Sequence, residues 1–383
     1  MLKIAIDATP IMPGKSGVGF YVSNLINALH LLQYAENFQL SIIYQPRLQS
    51  WLKSDFSVPE LVKEYERIQV LPLPVRLTNL SIKLSPNLLS YYFERFLPCH
   101  QIIHGTNHSV YPCLKAHKVM SIYDLTFIKY PQYTDAVAKS YKQQVKQNLK
   151  WTDIIITISE SSKKDIVDYL AVEHSKIYVT PLASRYHLDN FSNKNKAFVN
   201  YDFAKPYLLF VSTIEPRKNI ITLIRAFEYL KRKYKIEHHL ILIGKKGWYY
   251  KPIFAAIKNS PYQNCIHHLD YLSDELVALF YSKADVFVYP SHYEGFGLPV
   301  LEAMTLGAPV VTSNTSSLPE VAGDAAILTD PNDVISLAEA ILQVISDRTL
   351  RTELITKGKA RASLYSWERT AKETLQAYRS LLR

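Results

Sequence analysis

The sequence predicts an α/β protein with two doubly wound domains, each built on a parallel sheet. Short apolar or β-branched runs alternate with helical segments along the first half of the chain, and this alternation is typical of a parallel sheet covered by helices. A polar stretch over residues 184–206 interrupts the alternation, which then starts again. The length of 383 residues also exceeds the roughly 150 residues expected of one domain.

The first half contains strand and helix candidates in alternation. The strand candidates are LKIAID, QLSIIY, HKVMSIY, DIIITIS and KIYVT. The helix candidates cover residues 18–32, 136–150 and 160–170. Asparagine, serine, aspartate and lysine dominate the polar stretch that follows, so we place the domain boundary there. The first domain is predicted over residues 1–195 and the second over residues 196–366.

The second half repeats the pattern. Its strand candidates are YLLFVST, HLILIG, DVFVYPS, PVVTS and AAILTD, and its helices are predicted to begin at Asn219, Ser273, Pro299 and Asn332. Residues 367–383 have the period of an amphipathic helix, which we expect to pack back on the first domain. Two such sheets facing each other would form a cleft at the carboxyl ends of their strands, where open α/β folds bind ligands.

The net charge restricts the partners. A charge of +10 and an isoelectric point of about 9.2 suit an anionic small molecule, an anionic membrane or a nucleic acid. The motifs below favour the small molecule, so no nucleic-acid partner is predicted. One predicted helix face carries Lys139, Lys142, Lys146 and Lys150, a pattern that suits either solvent or contact with phosphate or a membrane.

Hydropathy and cysteine usage predict the location. No run approaches the ~20 apolar residues of a membrane span, and an acid, Asp7, interrupts the short apolar N-terminus. The cysteines, Cys99, Cys113 and Cys265, are odd in number and scattered, which argues against a disulfide framework. We therefore expect a cytoplasmic protein, with peripheral contact at the inner face of the membrane as an alternative.

The stretch EGFGLPVLEAM, residues 294–304, holds two carboxylates eight residues apart, Glu294 and Glu302. The glycines between them and the interior proline are incompatible with a single helix carrying both acids. Proline suits the start of a helix, so we expect a helix from about Pro299 that carries Glu302. The pattern predicts one acid in a turn at the mouth of this helix and the other one turn inside it.

The stretch STIEPRKNI follows a predicted strand of the second domain. Its turn is formed by Glu215 and Pro216, and two cations, Arg217 and Lys218, precede Asn219, a residue suited to cap the next helix. Two cations at the carboxyl end of a strand, beside a helix N-terminus, form an anion site that needs no metal. The alternative is a pair of solvated charges.

The stretch GKSGVGFYVSNL follows the first strand and opens a helix. Backbone amides of Gly17, Val18 and Gly19 are placed to hold a phosphate or an oxyanion there, although a plain tight turn is an alternative. A dinucleotide fingerprint requires a third glycine where Val22 stands, so a dehydrogenase is disfavoured.

The histidines do not show the spacing of a zinc site, and no metal site is predicted. His104 and His108, in the stretch HGTNHSVYP, are predicted to follow a strand. Both are candidates for contact with a ligand in the first domain.

Several of these stretches together resemble one family. The segment PSHYEGFGLPVLEAMTLGAPVVTSNTSSLPEVAGDAAILTDPND and the stretch EPRKN resemble glycosyltransferase family 4, whose members are retaining enzymes of the GT-B fold. The stretches HGTNHSV, SIYDLTFIKYP and SWERTAKETL also resemble family segments in register. The resemblance covers nearly the whole chain and is most specific over residues 289–333.

The resemblance implies roles for the motif residues. Glu294 would contact hydroxyls of the donor sugar, and Glu302 would hold the ribose of a nucleoside diphosphate. Arg217 and Lys218 would bind the diphosphate and stabilise the charge that develops as it leaves, with no metal or other cofactor. The further donor contacts implied are Gly17, Gly19, Thr213, Gly244, Lys245, Tyr271, Leu272, Gly295, Phe296, Gly297 and Leu298. On the acceptor side the candidates are His104 and His108.

One position departs from the family. Many members have a histidine after the strand at residues 117–122, where this chain has Tyr123 followed by Asp124. Tyrosine is a poor base at neutral pH, so Asp124 is the candidate for the polar role in the acceptor half. The catalytic candidates are Tyr123, Asp124, Arg217, Lys218 and Glu294.

The predicted function is transfer of a hexose from a nucleoside diphosphate sugar to a hydroxyl of a glycan or a lipid-linked saccharide. Family members with similar EGFGLPVLEAM segments often use GDP-mannose, so the resemblance makes a mannosyltransferase one option among hexosyltransferases. Two alternatives stay open. They are a weakly active partner subunit that binds the sugar nucleotide, and a sugar-nucleotide epimerase of the same fold.

Overall fold

The computed structural model describes residues 1–11, 17–84, 86–134, 136–186 and 201–382. The chain divides into two compact units: unit 1 is Met1–Ile128, Ala136–Leu182 and Trp367–Arg383, and unit 2 is Lys129–Asp135 and Ala183–Ser366. The predicted boundary at residue 195 lies outside the described residues. Residues 183–186, which precede that boundary, belong to unit 2.

Over its described residues, unit 1 forms a seven-stranded parallel sheet in the order β3-β2-β1-β4-β5-β6-β7. The strands are β1 (Leu2–Asp7), β2 (Phe38–Tyr44), β3 (Ile68–Val70), β4 (Ile102–Gly105), β5 (His117–Ser121), β6 (Ile154–Thr157) and β7 (Ile177–Val179). The helices are α1 (Gly17–Leu32), α2 (Leu48–Leu52), α3 (Glu60–Lys63), α4 (Val75–Leu84), α5 (Pro86–Phe96), α6 (Thr126–Lys129, whose last residue belongs to unit 2), α7 (Ala136–Asn148), α8 (Glu160–Leu170) and α16 (Trp367–Ser380).

Unit 2 forms a six-stranded parallel sheet over its described residues, in the order β10-β9-β8-β11-β12-β13. Its strands are β8 (Tyr207–Val211), β9 (His239–Ile243), β10 (Ile266–Leu269), β11 (Val286–Tyr289), β12 (Val310–Ser313) and β13 (Ala326–Thr329). Its helices are α9 (Ile220–Tyr234), α10 (Lys251–Asn259), α11 (Asp274–Lys283), α12 (Leu298–Thr305), α13 (Leu318–Ala322), α14 (Val334–Ser346) and α15 (Arg348–Ala362).

The predicted fold class is confirmed: each unit is a doubly wound parallel sheet. Each core contains central strands that are buried on both faces, and the burial of β4, β6, β11 and β12 is complete along their length. Such strands have continuous apolar runs rather than alternating ones. Among the described strands, β3, β4 and β10 are not in the set of strand candidates, although the prediction for His104 implied a strand just before that residue.

The strand order of each sheet reverses at one position. In unit 1 the reversal falls between β1 and β4, and in unit 2 it falls between β8 and β11. The loops after two such strands separate from each other and leave a crevice at their carboxyl ends. The loops of interest are therefore those that follow β1 and β4 in unit 1, and β8 and β11 in unit 2.

The C-terminal helix α16, whose amphipathic pattern predicted a helix, belongs to unit 1, as expected for the two-domain fold. Its buried face includes Thr374 and Tyr378. The hydroxyl of Tyr378 lies 2.6 Å from Nδ1 of His104 in the sheet, and Arg379 Nη1 donates to Glu36 Oε2 at 2.9 Å. A buried hydrogen bond and an ion pair therefore join the end of the chain to the first domain.

Every helix in the described part of the chain is too short or too polar to span a lipid bilayer.

Candidate active site

Two loops at the reversal point of unit 2 bring together the motif residues of both halves of its sequence. The first follows β8 and contains Glu215 and a short 3₁₀ helix, Pro216–Lys218. The second follows β11 and runs from Ser291 to Glu294. The loops are joined directly, because His292 N donates to Arg217 O at 3.0 Å.

The carboxylate of Glu294 is the centre of this cluster. Its Oε1 accepts hydrogen bonds from Lys218 Nζ at 2.6 Å, Ser291 Oγ at 2.6 Å and Tyr289 OH at 3.0 Å. Its Oε2 accepts from Arg217 Nη1 at 2.9 Å. The two cations and the acid, predicted as separate sugar and phosphate contacts, therefore form one hydrogen-bonded group.

The electrostatics keep Glu294 ionised. Burial alone would raise the pKa of its carboxyl, but the charges of Arg217 and Lys218 and the hydrogen bonds from Lys218 and Ser291 lower this pKa to about 2. Lys218 is only 5% exposed, and burial, together with the charge of Arg217, lowers the pKa of its ammonium. This burial excludes the alternative of two solvated charges.

Glu215 fixes the other side of Arg217. Its Oε1 accepts from Arg217 Nη2 at 2.8 Å, and burial raises the pKa of this carboxyl. Arg217 Nη1 also donates to the carbonyl of Tyr293 at 2.7 Å. The guanidinium is thereby held between two acids and a backbone oxygen, so its orientation is set before any ligand binds.

The turn between the two glutamates is held by its backbone. Gly297 has a φ of +118°, and a Cβ there would lie 3.0 Å from Leu318 Cδ2, so a side chain at this position is both strained and crowded. Ser317 Oγ donates to the carbonyls of Glu294 at 2.9 Å and Phe296 at 2.6 Å. The helix that follows, α12, begins at Leu298, one residue before the predicted start.

The side chain of Asn219 does not have the predicted capping role. Asn219 does precede α9, but its side chain makes no capping hydrogen bond. Its Nδ2 donates instead to the carbonyls of Pro290 at 3.0 Å and Pro331 at 2.6 Å. Asn219 therefore ties the loop after β8 to the loop after β11.

Glu302 lies on α12 and is 3% exposed. Its Oε1 accepts from Arg185 Nε at 2.6 Å, whereas among the described residues Oε2 has only a long contact with Tyr281 OH at 3.5 Å. Burial raises the pKa of the Glu302 carboxyl, and the charge of Arg185 opposes this rise. Sequence reasoning missed Arg185, because it lies in the polar stretch that predicted only a boundary.

Two further loops of unit 2 carry the other predicted donor contacts. Gly244 has a φ of +145°, and a Cβ there would lie 1.9 Å from the carbonyl oxygen of Ser212, so glycine is required for the loop after β9 to pass the loop after β8. Lys245 Nζ lies 4.4 Å from the ring centroid of Tyr271, a cation–π contact. The remaining contacts vary in exposure: Thr213 and Tyr271 are exposed, Leu272 and Leu298 are partly exposed, and Gly295 and Phe296 are buried.

The predicted anion loop of unit 1 is described only in part. Gly17 is the first residue of α1 and is exposed, whereas Gly19 is buried within its first turn. Residues 12–16, which precede them, lie outside the described residues.

The side chain of Tyr123 is part of the core of unit 1, and its hydroxyl is not exposed to solvent. It is buried, its hydroxyl donates to the carbonyl of Thr106, and its ring packs edge-on against Tyr21, with centroids 5.1 Å apart. Burial raises the pKa of this hydroxyl far above its ordinary value. Asp124 is partly exposed and its Oδ1 accepts from Thr126 N at 2.8 Å. Of these two catalytic candidates, only Asp124 reaches the surface.

The predicted acceptor histidines are core residues. His104 lies within β4 rather than after it and is fully buried. Its Nδ1 contacts Tyr378 as described, its Nε2 lies 2.8 Å from Ser121 Oγ, and burial lowers its pKa to about 3. His108 is also buried, against the rings of Phe127 and Tyr141, and burial lowers its pKa to about 4 although Asp124 opposes the change. Their placement argues against acceptor contact by either ring.

Comparison with known proteins identifies the family. Residues 192–361 match the family described as Glycosyl transferases group 1. The chain is 31% identical over 389 aligned positions to O-antigen chain mannosyltransferase B of Escherichia coli, covering 99% of this chain and all of that protein. The chain belongs to the group 1 glycosyltransferases. It is therefore a nucleotide-sugar-dependent glycosyltransferase, as its motifs predicted.

Other relatives and solved structures agree with this assignment. The glycosyltransferase is 25% identical to O-antigen chain mannosyltransferase RfbU of Salmonella typhimurium, over 86% of this chain and 88% of that one. Sucrose-phosphate synthase from Thermosynechococcus elongatus has a TM-score of 0.76 at 20% identity, covering 100% of this chain and 99% of that one. HepE from Anabaena, solved with UDP and glucose, has a TM-score of 0.70 at 16% identity and covers 99% of this chain and 100% of that one. The structural likeness shows the GT-B fold.

A cavity in unit 1 of the glycosyltransferase was not predicted. Its volume is about 670 Å³, and it lies at the reversal point of the sheet, beside the ends of β1 and β2 and the loop after β4. Its lining includes Asp7, Tyr44, Asn107, Tyr111, Tyr141 and Gln144. Asp7 is buried, and burial raises the pKa of its carboxyl to about 6 although Thr9 opposes the rise. In the sequence Asp7 was only an acid that interrupted an apolar run.

Proposed function

We propose that this glycosyltransferase moves mannose from GDP-mannose to a hydroxyl of a growing glycan, with retention of the anomeric configuration. The observation that carries the proposal is the buried group of Arg217, Lys218 and Glu294 at the reversal point of unit 2. The choice of mannose is supported by relatives that are themselves named mannosyltransferases.

The diphosphate of the donor would bind at the cations. Arg217 and Lys218 are held by Glu294 and Glu215 before any ligand arrives, and preorganised charges stabilise a developing charge without reorganisation at the moment of reaction. In the reaction, the bond between the anomeric carbon and the diphosphate oxygen breaks, and the acceptor oxygen bonds to that carbon. The acceptor proton passes to the departing phosphate on the same face.

The two glutamates would contact different parts of the donor. Glu294 is ionised and directly precedes a fixed turn, which supports hydrogen bonds from the sugar hydroxyls to a strong acceptor. Glu302, on the next helix, would accept from the ribose hydroxyls. Lys245 and Tyr271 pack together near the ends of β9 and β10, which supports a place for the base there.

The acceptor would bind in the cavity of unit 1. Carboxylate, amide, tyrosine and arginine side chains line it, and a few polar groups among aromatic rings are the usual make-up of a small-molecule site. The volume of about 670 Å³ lies within the usual range of roughly 300–1,000 Å³ for such sites. This lining favours a polar saccharide, with Asp7 as an acceptor for its hydroxyl protons and with Arg47 and Arg76 as donors.

A donor panel tests the proposal. A ligand at about 100 times its Kd adds about 2.7 kcal/mol to the free energy of unfolding, so thermal unfolding with GDP-mannose, GDP-fucose, UDP-glucose and UDP-galactose should rank the donors. We expect the largest stabilisation from GDP-mannose and a smaller one in Lys218→Ala. A UDP-sugar that stabilises more than GDP-mannose would overturn the donor assignment, and a shift unchanged in Lys218→Ala would overturn the diphosphate site.

A further inference from the structure

Arg185 and Glu302 form a partly buried ion pair next to the proposed ribose site. Arg185 Nε lies 2.6 Å from Glu302 Oε1, and the side chains are 27% and 3% exposed. The residues are separated by 117 positions in the chain, and both belong to unit 2. We propose that Arg185 is a positioning residue, which holds the Glu302 carboxylate ionised and oriented so that its second oxygen accepts from the nucleotide ribose. This inference rests on the function proposed above.

The first argument is the cost of the buried charge. A carboxylate that is removed from water and left without a counter-charge is strongly destabilised. Within the described residues, the ionisable groups that act most strongly on Glu302 are Arg185, Asp274 and Tyr281, with Tyr186 beside Arg185. Among these groups only Arg185 is positively charged, so the ionised state of Glu302 depends on it.

The second argument is the division of the two carboxylate oxygens. Arg185 occupies Oε1 with a short bond, while the contact of Oε2 with Tyr281 OH is 3.5 Å long. Hydrogen bonds to an ionised acceptor are strongest when short and well aligned. Oε2 therefore keeps acceptor capacity for a ligand hydroxyl, and Oε1 serves to fix the side chain.

The third argument is that Arg185 is itself held. Its Nη1 donates to Asp274 Oδ1 at 3.2 Å, and its Cζ lies 5.8 Å from the ring centroid of Tyr186. A guanidinium that bonds two acids at once has a defined orientation. Its geometry suits a fixed support for Glu302 rather than a side chain that leaves when a nucleotide arrives.

Calorimetric titration of GDP tests the inference. We expect Arg185→Gln to lower the affinity for GDP by roughly tenfold at pH 7, the effect of losing one charge-assisted hydrogen bond. Arg185→Lys, which keeps the charge, should lower it by only about threefold. The loss should grow as the pH falls from about 8 to about 5, because Glu302 then takes up a proton more readily than in the wild type. GDP itself titrates in this range, so the readout is the ratio of variant to wild-type Kd at each pH.

The controls separate this inference from the function on which it rests. Glu302→Gln should lower the affinity for GDP, and the ratio of its Kd to the wild-type Kd should not vary with pH. The double variant Glu302→Gln/Arg185→Gln should lose little further affinity. If Glu302→Gln lowers the affinity for GDP while Arg185→Gln binds GDP as tightly as the wild type or more tightly, Arg185 does not support Glu302 and the inference is overturned. If Glu302→Gln itself leaves GDP affinity unchanged, the ribose assignment is wrong and the inference is overturned with it. Circular dichroism confirms that each variant is folded, and Arg185→Lys provides the test if Arg185→Gln is not.

Discussion

Lys218 Nζ lies 2.6 Å from Glu294 Oε1, and both side chains are buried. The same carboxylate accepts from Arg217 through its other oxygen. One acid thus sets the position of both cations at the proposed diphosphate site. The preorganisation on which catalysis by charge depends is therefore built into the free protein.

Removing the buried ammonium should mainly slow turnover. We expect Lys218→Ala to lower kcat by about 10²- to 10³-fold, the usual effect of losing one preorganised group that stabilises developing charge. The measurement is the initial rate at saturating donor. Lys233→Ala, which removes an exposed lysine of α9, is the matched control and should keep the wild-type rate. Turnover of Lys218→Ala within about threefold of the wild type would contradict the role given to Lys218.

The glutamate pair should separate into two kinetic signatures. Glu302→Gln is expected to lower the affinities for GDP and GDP-mannose alike, since it removes a contact to the nucleotide that both ligands share. Glu294→Gln should leave GDP affinity nearly unchanged, since Glu215 still holds Arg217, and should lower kcat, because its contact to the sugar matters most as the transition state forms. Calorimetry with GDP and initial rates with the donor measure both. Equal losses of GDP affinity in the two variants would contradict the division.

Glu294 should also contribute to stability in a pH-dependent way. The folded-state pKa of Glu294 is about 2, below its ordinary value of 4.5. The stabilisation is therefore present above pH 4.5 and is lost as the pH falls towards 2. Urea unfolding between neutral and acidic pH should show this loss in the wild type and a smaller one in Glu294→Gln. Parallel pH profiles for the two proteins would contradict the assignment.

Asp7 should show the opposite sign. Its pKa rises from 3.8 to about 6 in the folded protein, so its ionisation costs stability as the pH rises through this range. Asp7→Asn should accordingly increase the free energy of unfolding at pH 7 by about 3 kcal/mol and change it little at a pH below 3.8. It should also raise KM for the acceptor while leaving GDP affinity unchanged. A variant that is less stable at pH 7, or that loses GDP affinity, would contradict this account of Asp7.

Four lysines in and just after α7 carry the prediction of membrane contact, with Lys150 two residues beyond the helix, which ends at Asn148 rather than at the predicted residue 150. Lys142, Lys146 and Lys150 are exposed, and the side chain of Lys139 lies outside the described residues. If the acceptor is attached to a lipid, each lysine should contribute about 1 kcal/mol to binding of anionic vesicles. Replacing the four with glutamine should abolish co-sedimentation with vesicles that contain anionic lipid and leave GDP binding intact.

The control for this test lies in unit 2. Glutamine at Arg232, Lys233 and Lys235, exposed cations at the end of α9, should have no effect on co-sedimentation. Equal co-sedimentation of the wild type and the four-lysine variant would show that these lysines face solvent and do not contact the membrane.

The fold was predictable because buried strands require apolar residues, which can be recognised in the sequence. Strands such as β6 and β11 belong to continuous apolar runs in the sequence, and a parallel sheet between helix layers requires such runs. The strands that escaped prediction are short: β3 has three residues, and β4 and β10 have four each, with polar histidines among them. Their strand character comes from pairing with neighbours rather than from their own pattern.

The candidate site was predictable in its motifs and not in its contacts. The motif residues could be recognised because charged residues stand beside glycine or proline in both stretches. These residues are Arg217, Lys218, Glu294 and Glu302. The hydrogen bonds among them join residues more than 70 positions apart, and local spacing carries no record of such pairs. The same reason hid Arg185, and it hid the buried contact of the His104 ring with Tyr378 from the other end of the chain.

The anomeric configuration of the product tests the central claim most directly. The protein is incubated with GDP-mannose and a mannoside acceptor, and the isolated disaccharide is examined by NMR for the one-bond coupling between C1 and H1. The account predicts a new mannosyl bond with the same α configuration as the donor, formed by the wild type and strongly reduced in Lys218→Ala. A β-linked product, or an isomerised sugar nucleotide with no new glycosidic bond, would contradict it.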